Sequence, residues 1–190
     1  MPDNTKLCIA PLTDGSSKKL QLLHVVRRYG PVGGMERYVW ELTLQLQKME
    51  HSVIVLCEHC YCNIPDGINV IELGEIIQRP HWMAALRFDR RVVHWLKKNP
   101  HANRLIHSHE RLSIHDITTF HSPPFATVYE KPWWKIISVR VAMKLYLDKR
   151  ELRIAKRIVP NSEIIKQQLT HYYPEFIAKL NNLIVSPIHE

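Results

Sequence analysis

The chain has 190 residues, 45% of them hydrophobic and 23% charged, with a formal net charge of +8 at pH 7 and four cysteines. That length suits one α/β domain with a sizeable core and leaves no room for two domains of ordinary size. No apolar run reaches the roughly 18 residues that span a bilayer, and Met1 to Lys19 lacks the charged-then-apolar order of a signal peptide, so the thiols are expected reduced and the chain cytoplasmic.

Residues 1–19 read as a flexible extension, in which Leu7 to Ala10 offers a short edge segment, and residues 20–190 as the folded domain. Leu20 to Val26 is an apolar strand that runs into the glycine-bearing loop Arg27 to Gly34. Met35 to Met49 follows as a helix, with Val39, Leu42, Leu46 and Met49 on its apolar side, and Val53 to Leu56 is the next strand. Parallel strands need such a crossover helix, so this is a βαβ unit. Gly33 and Gly34 fall where an open parallel sheet takes its ligands, at a strand's carboxyl end. Without a Cβ, their backbone N–H groups can approach a phosphate or an acceptor, and the helix N-terminus behind them favours negative charge; plain turn chemistry is the competing explanation. Arg27 and Arg28 flank the same strand end and are the candidates for phosphate contact. Glu36 suits a helix's first turn, whereas Arg37 either faces solvent or points into the cleft to meet a substrate.

Gly67 to Leu73 reads as a third strand. Pro80 to Lys98 reads as a helix with Met83, Leu86, Val92, Val93 and Leu96 inward, stopped by Asn99-Pro100. Arg104 to His107 and Asp116 to Phe120 are strands, and a long helical stretch runs from Trp133 to about Lys156. Arg157 to Pro160 is a brief strand, Asn161-Ser162 caps a helix carrying Ile164, Ile165 and Leu169, Pro174 turns the chain, and Leu183 to Val185 is a last strand. Alternating strands and helices imply a Rossmann-like, doubly wound, mostly parallel sheet.

The positive charge is concentrated. Arg79 to Lys98 carries six Lys/Arg against Asp89, with Trp82 and Trp95; Lys131 to Arg157 carries nine against Asp148 and Glu151, with Trp133 and Trp134. Basic residues mixed with Trp suit contact with anionic lipid headgroups, and a solvated helix face with its Trp residues in the core is the other reading. No nucleic-acid reader motif accompanies the charge.

The order of five pieces resembles the N-terminal domain of a GT-B glycosyltransferase of family 4, a family of retaining enzymes. The pieces are Gly33-Gly34-Met35-Glu36-Arg37; Ile106-His107-Ser108-His109-Glu110; Thr119-Phe120-His121-Ser122-Pro123-Pro124; the basic helix leading into Glu151; and Ile158-Val159-Pro160-Asn161-Ser162-Glu163. They span about residues 20–188, and His115 to Tyr129 is similar to enzymes that build lipopolysaccharide and related bacterial surface glycans. The resemblance implies a nucleoside diphosphate sugar as donor substrate and retention at the anomeric carbon; no separate cofactor and no metal are expected. It assigns His121 to the donor sugar as the catalytic-site residue, Gly33 and Gly34 to phosphate or acceptor, and His109 with Glu110 to the acceptor side, with Arg37 a further substrate-binding candidate. Full members carry a second Rossmann-like domain holding the donor. This chain reaches Ser186-Pro187-Ile188 where the family's linker would begin, so it is expected to be inactive alone: a truncated gene product, half of a split enzyme whose donor domain is a separate chain, or a non-catalytic acceptor-binding protein. Its expected partners are a glycan or lipid-linked acceptor and the anionic cytoplasmic face of the inner membrane.

Two other clusters compete. His107, His109, His115 and His121, with Glu110 and Asp116, form the richest set of metal-ligand types, and His-x-His on a strand puts two imidazoles on one face; a metal-binding hydrolase is the rival this motivates. Cys57, Cys60 and Cys62 beside His59 suggest zinc or redox chemistry, but structural zinc normally shows two ligand pairs. A buried Cys57 with solvent-facing thiols after it is the plain expectation.

Overall fold

The computed structural model describes residues 20–75 and 79–180. The edge segment at Leu7, the rest of the 1–19 extension, Cys8, the strand at Leu183 to Val185 and the region of Ser186-Pro187-Ile188 lie outside the described residues. Six strands form one sheet: β1 (Gln21–Val25), β3 (Ser52–Cys57), β5 (Ile68–Glu72), β6 (Arg104–Ser108), β7 (Ile117–Phe120) and β8 (Arg157–Pro160), in the order β5-β3-β1-β6-β7-β8. Every pairing in it is parallel. A separate two-stranded sheet joins β2 (Arg28–Tyr29) to β4 (His59–Cys60) above the carboxyl ends of β1 and β3. The helices are α1 (Gly34–Lys48), α2 (His81–Lys98), α3 (Val139–Ile154) and α4 (Glu163–Tyr172), with 3₁₀ turns at Phe125–Glu130, Trp133–Lys135 and Pro174–Lys179.

Alternation along the strands feeds two cores. Leu23 and Val25 of β1 and Ile54 and Leu56 of β3 face Ala84, Phe88, Val92 and Leu96 of α2. Val53, Val55 and Cys57 turn to the other side, against Val39 of α1. A third cluster, Phe120, Leu152, Ala155, Ile158, Ile165 and Leu169, ties α3 and α4 to the β7–β8 edge. The helix expected to follow Trp133 directly starts only at Val139: Pro132 opens a 3₁₀ turn, and the Ser138 hydroxyl then accepts from the Val141 N–H as a true N-cap. Ser162 caps α4 in the same way, as the sequence suggested.

The small sheet is anchored from below. The buried Tyr29 hydroxyl lies 2.7 Å from Thr43 Oγ1 on α1, and Thr43 also bonds the Trp40 carbonyl. Thr43→Val keeps the shape but strands the Tyr29 hydroxyl, which is expected to cost about 1–3 kcal/mol in a denaturant melt.

Candidate functional site

The strand order reverses between β1 and β6, and in such sheets the crevice beyond the carboxyl ends at that switch point takes the ligand. Three strand ends deliver their next residues there: Arg27 and Arg28 after β1, Glu58 after β3, and Glu110 after β6. With Glu36 and His81 they line a cavity of about 590 Å³. The two arginines proposed for phosphate contact are both held by carboxylates. Arg27 makes a bidentate pair with Glu58, at 2.7 and 3.1 Å, and Arg28 reaches Glu36 Oε1 at 2.5 and 2.9 Å. Arg28 is more than half exposed at the cavity, so its guanidinium stays within reach of a further anion.

Glu110 is the exception among these acids. Burial pushes its pKa up to about 7, and the positive charges of Arg27 and Arg111 and the Arg27 backbone N–H only partly offset that. Near neutral pH its carboxyl therefore exists both as an acceptor and as a donor, the range suited to a group that holds or relays a hydroxyl proton.

Beside this cavity stands a file of imidazoles. His24 and His107 are register partners on adjacent strands, so both point to the same face, and His109 joins them two residues on. His24 Nδ1 lies 3.3 Å from His109 Nε2, and His109 Nδ1 lies 3.0 Å from His121 Nε2. His107 Nε2 meets Thr119 Oγ1 at 2.8 Å. The Tyr38 ring of α1 sits edge-on to His121, with centroids 5.1 Å apart, so the glycine-loop helix and His121 share one rim of the sheet. Burial drives His24 and His121 down to about 4, and burial with mutual repulsion puts His107 and His109 well below the ordinary value. At neutral pH the file is uncharged, so His121 can both donate and accept a hydrogen bond.

The competing metal cluster is changed by the structure. Among the described residues His24, His107 and His109 form the group whose ligand atoms lie within 4.8 Å of one another. His115 does not belong to it, because its Nε2 donates to the Glu151 carbonyl across the sheet edge at 3.1 Å. His121 reaches the group through His109. The triad carries no carboxylate, and the cavity of about 330 Å³ that it borders is lined mostly by apolar groups such as Leu22, Leu42 and Leu105. Neutral imidazoles of this kind could hold a transition-metal ion, yet the apolar surroundings offer no base for hydrolysis.

Other expected residues are placed less centrally. Gly33 is the N-cap of α1 in extended conformation, and no side chain caps the helix, so its first-turn N–H groups are open. A Cβ on Gly34 would meet nothing within 4 Å, which marks free space over the loop. Arg37 is two-thirds exposed and pairs with Glu41 one turn along, away from the cavity. Cys57 is buried and its thiol is pushed up to about 12 by burial, as expected of an inert core thiol. Cys60 and Cys62, expected to face solvent, are half-buried, with their sulfurs 3.7 Å apart; Cys60 is drawn in by its pairing in the small sheet.

Sequence reasoning missed the support beneath the site. Arg111, immediately after Glu110, pairs with the fully buried Asp148 of α3. Thr118 donates to Glu151, whose pKa burial raises to about 8. The available signal was that Asp148 and Glu151 are the two acids in an otherwise basic segment.

These shifts fix how stability depends on pH. The folded protein withholds protons from its histidines, which the unfolded chain binds below about 6.5, so stability rises with pH from about 4 to 6.5. It retains protons on Glu110 and Glu151 that the unfolded chain releases above about 4.5, so those groups lower stability as pH climbs to 7–8. Five histidines, His115 among them, outweigh two carboxyls in the acid range, and from there to about pH 8 the carboxyls dominate. Thermal melts are expected to peak near pH 6.5 (about, by linkage), with Glu151→Gln flattening the alkaline limb; a monotonic profile would contradict the burial of these groups.

The sequence model of the family described as Glycosyltransferase Family 4 matches residues 32–179. No curated protein sequence matches the chain. Among solved structures, it is similar to WaaG, described as a glycosyltransferase involved in lipopolysaccharide biosynthesis, with 13% identity and a TM-score of 0.72 over 84% of this chain and 44% of that one. It is also similar to a ugt transferase from Siraitia grosvenorii in complex with UDP (13% identity, TM-score 0.52, 90% and 49% covered) and to a glycosyltransferase from Rickettsia africae (19%, 0.48, 86% and 42%). The chain thus spans about half the length of these structures. The WaaG likeness shows the same Rossmann-like α/β fold as that of a GT-B glycosyltransferase.

Proposed function

Because the chain belongs to the family described as Glycosyltransferase Family 4, we propose that it forms the acceptor-side half of a retaining glycosyltransferase that uses a nucleoside diphosphate sugar to extend a lipopolysaccharide or related surface glycan. The observation that carries this reading is the convergence of Arg27, Glu58 and Glu110 from three strand ends on the switch-point cavity, with His121 beside it. An acceptor hydroxyl bonds to Glu110, while the paired arginines and the open N–H groups of α1 face the donor phosphates. Departure of a phosphate needs positioning and charge neutralisation rather than a protein nucleophile. His121, steered by His109, contacts a hydroxyl of the donor sugar. The donor itself is held by a second half, in the same polypeptide or in another.

Two measurements test this. Saturation-transfer NMR on the 190-residue chain is expected to show binding of a lipopolysaccharide core oligosaccharide, weakened by Glu110→Gln. A radiolabelled transfer assay is expected to give product only when the donor-binding half is supplied. Product from the 190-residue chain alone, or no oligosaccharide binding, overturns the reading. Binding without transfer in the presence of the second half would favour the alternative, a non-catalytic acceptor-binding protein.

The same reading places the protein on the cytoplasmic face of the inner membrane. Among the described residues no helix is long and apolar enough to cross a bilayer, but Trp133, Trp134, Ile137 and Val139 are 62–73% exposed in the basic segment that leads into α3. Trp residues beside Lys and Arg suit an anionic interface. Trp133→Ser with Trp134→Ser is expected to cut co-sedimentation with anionic vesicles by about tenfold or more. Raising salt should weaken what remains, because that attraction is screened.

A further inference from the structure

We propose that the concavity between the starts of α2 and α3 binds a phosphoryl group carried by the acceptor, so that the acceptor is a phosphorylated glycan. This rests on the glycosyltransferase reading for the identity of the ligand, but not for the presence of the site. The concavity holds about 620 Å³ and is lined by Arg79, Pro80, His81, Trp82, Arg140 and Lys144. Arg140 and Lys144 are four residues apart on α3 and so stand on one face, an arrangement of like charges that disfavours a helix unless an anion joins them.

No described carboxylate does so. Asp148, the next acid along that face, is fully engaged elsewhere: one oxygen pairs with Arg111 and the other accepts the Phe125 N–H at 2.5 Å. The Lys144 ammonium is set over the Phe125 ring at 4.6 Å, which fixes it at the rim. Burial and the neighbouring Arg140 and Arg111 charges lower its pKa, and the Asp148 charge offsets them only in part. At the facing wall, α2 begins at His81 after Pro80 as its N-cap, with no side-chain cap and no acid in its first turn.

The location identifies the ligand. His81 lines this concavity and also the switch-point cavity that contains Glu110. A glycan whose reacting sugar lies against Glu110 can therefore extend past His81 and set a phosphate among Arg79, Arg140 and Lys144. A phosphate monoester offers the three acceptor oxygens and the double charge that such a set of donors satisfies.

The test uses the 190-residue chain at low salt with inorganic phosphate, glucose 6-phosphate and glucose as probes, followed by NMR titration. Glucose 6-phosphate is expected to bind several-fold more tightly than inorganic phosphate, and glucose not measurably. Arg140→Gln combined with Lys144→Gln should weaken both phosphates by roughly tenfold with an unchanged amide spectrum, while Lys98→Gln at the far end of α2 should change nothing. Three results would overturn the proposal: no phosphate binding, equal binding by the double variant, or inorganic phosphate matching the sugar phosphate. In a parallel arm with phosphatidylglycerol vesicles, a loss confined to vesicle binding would assign the cations to a lipid headgroup and also overturn it. None of these readouts requires sugar transfer, so failed transfer with intact phosphate binding would count against the enzyme reading alone.

Discussion

Asp148→Ala is expected to lower the unfolding free energy by about 3 kcal/mol and the melting midpoint by roughly 6–12 °C. The side chain is fully buried, and it answers two donors at once, the Arg111 guanidinium and the Phe125 backbone N–H. Removing it leaves a cation and an amide without their acceptor beneath the switch point. Arg111 is about one-third exposed, so water recovers part of its loss, which places the cost at the lower end of the range for broken buried pairs. Asp148→Asn keeps an acceptor for Phe125 and should cost about half as much. Equal losses in the two variants would show that the charge carries the whole effect and the hydrogen bond to Phe125 none of it.

The larger functional effect is expected at His121. In the chain supplied with its donor-binding half, His121→Ala should reduce turnover by about a hundredfold with little change in acceptor binding, the size of effect seen when one placed donor at a reacting centre is removed. His109→Ala should reproduce part of that loss, because the 3.0 Å contact between the two imidazoles sets which His121 nitrogen faces outward. A His121→Ala protein that binds acceptor poorly yet turns over normally when saturated would place His121 on the acceptor instead.

Much of the scaffold was readable in advance, since strands such as Val53 to Leu56 and helices such as α2 announce themselves by their own periodicity. Several features could not be read that way. The small sheet consists of two-residue strands, too short for any pattern, and it appears only because Tyr29 and Cys60 are brought together by the longer strands beneath. The start of α3 was misplaced because Trp133 and Trp134 look like helix and are a 3₁₀ turn. At the site, local motifs named Glu110, His109 and His121, all of which cluster at the β6 and β7 ends. They did not name His24, which meets His109 through strand register, nor the Arg27–Glu58 pair, whose members are 31 residues apart. Long-range pairing is invisible to spacing, and that is also why His115 was grouped with neighbours it turns away from.

Gly33 has a consequence beyond its role at the head of α1. A methyl group there would come within 2.4 Å of a Glu36 carboxylate oxygen, and nothing else about the position requires glycine, since its backbone is ordinarily extended. Alanine would be accommodated by swinging Glu36 aside, which would uncouple it from Arg28. The smallest possible increase in bulk would thus act as a change of local charge, unlatching a cation at the doorway of the crevice while leaving its walls intact.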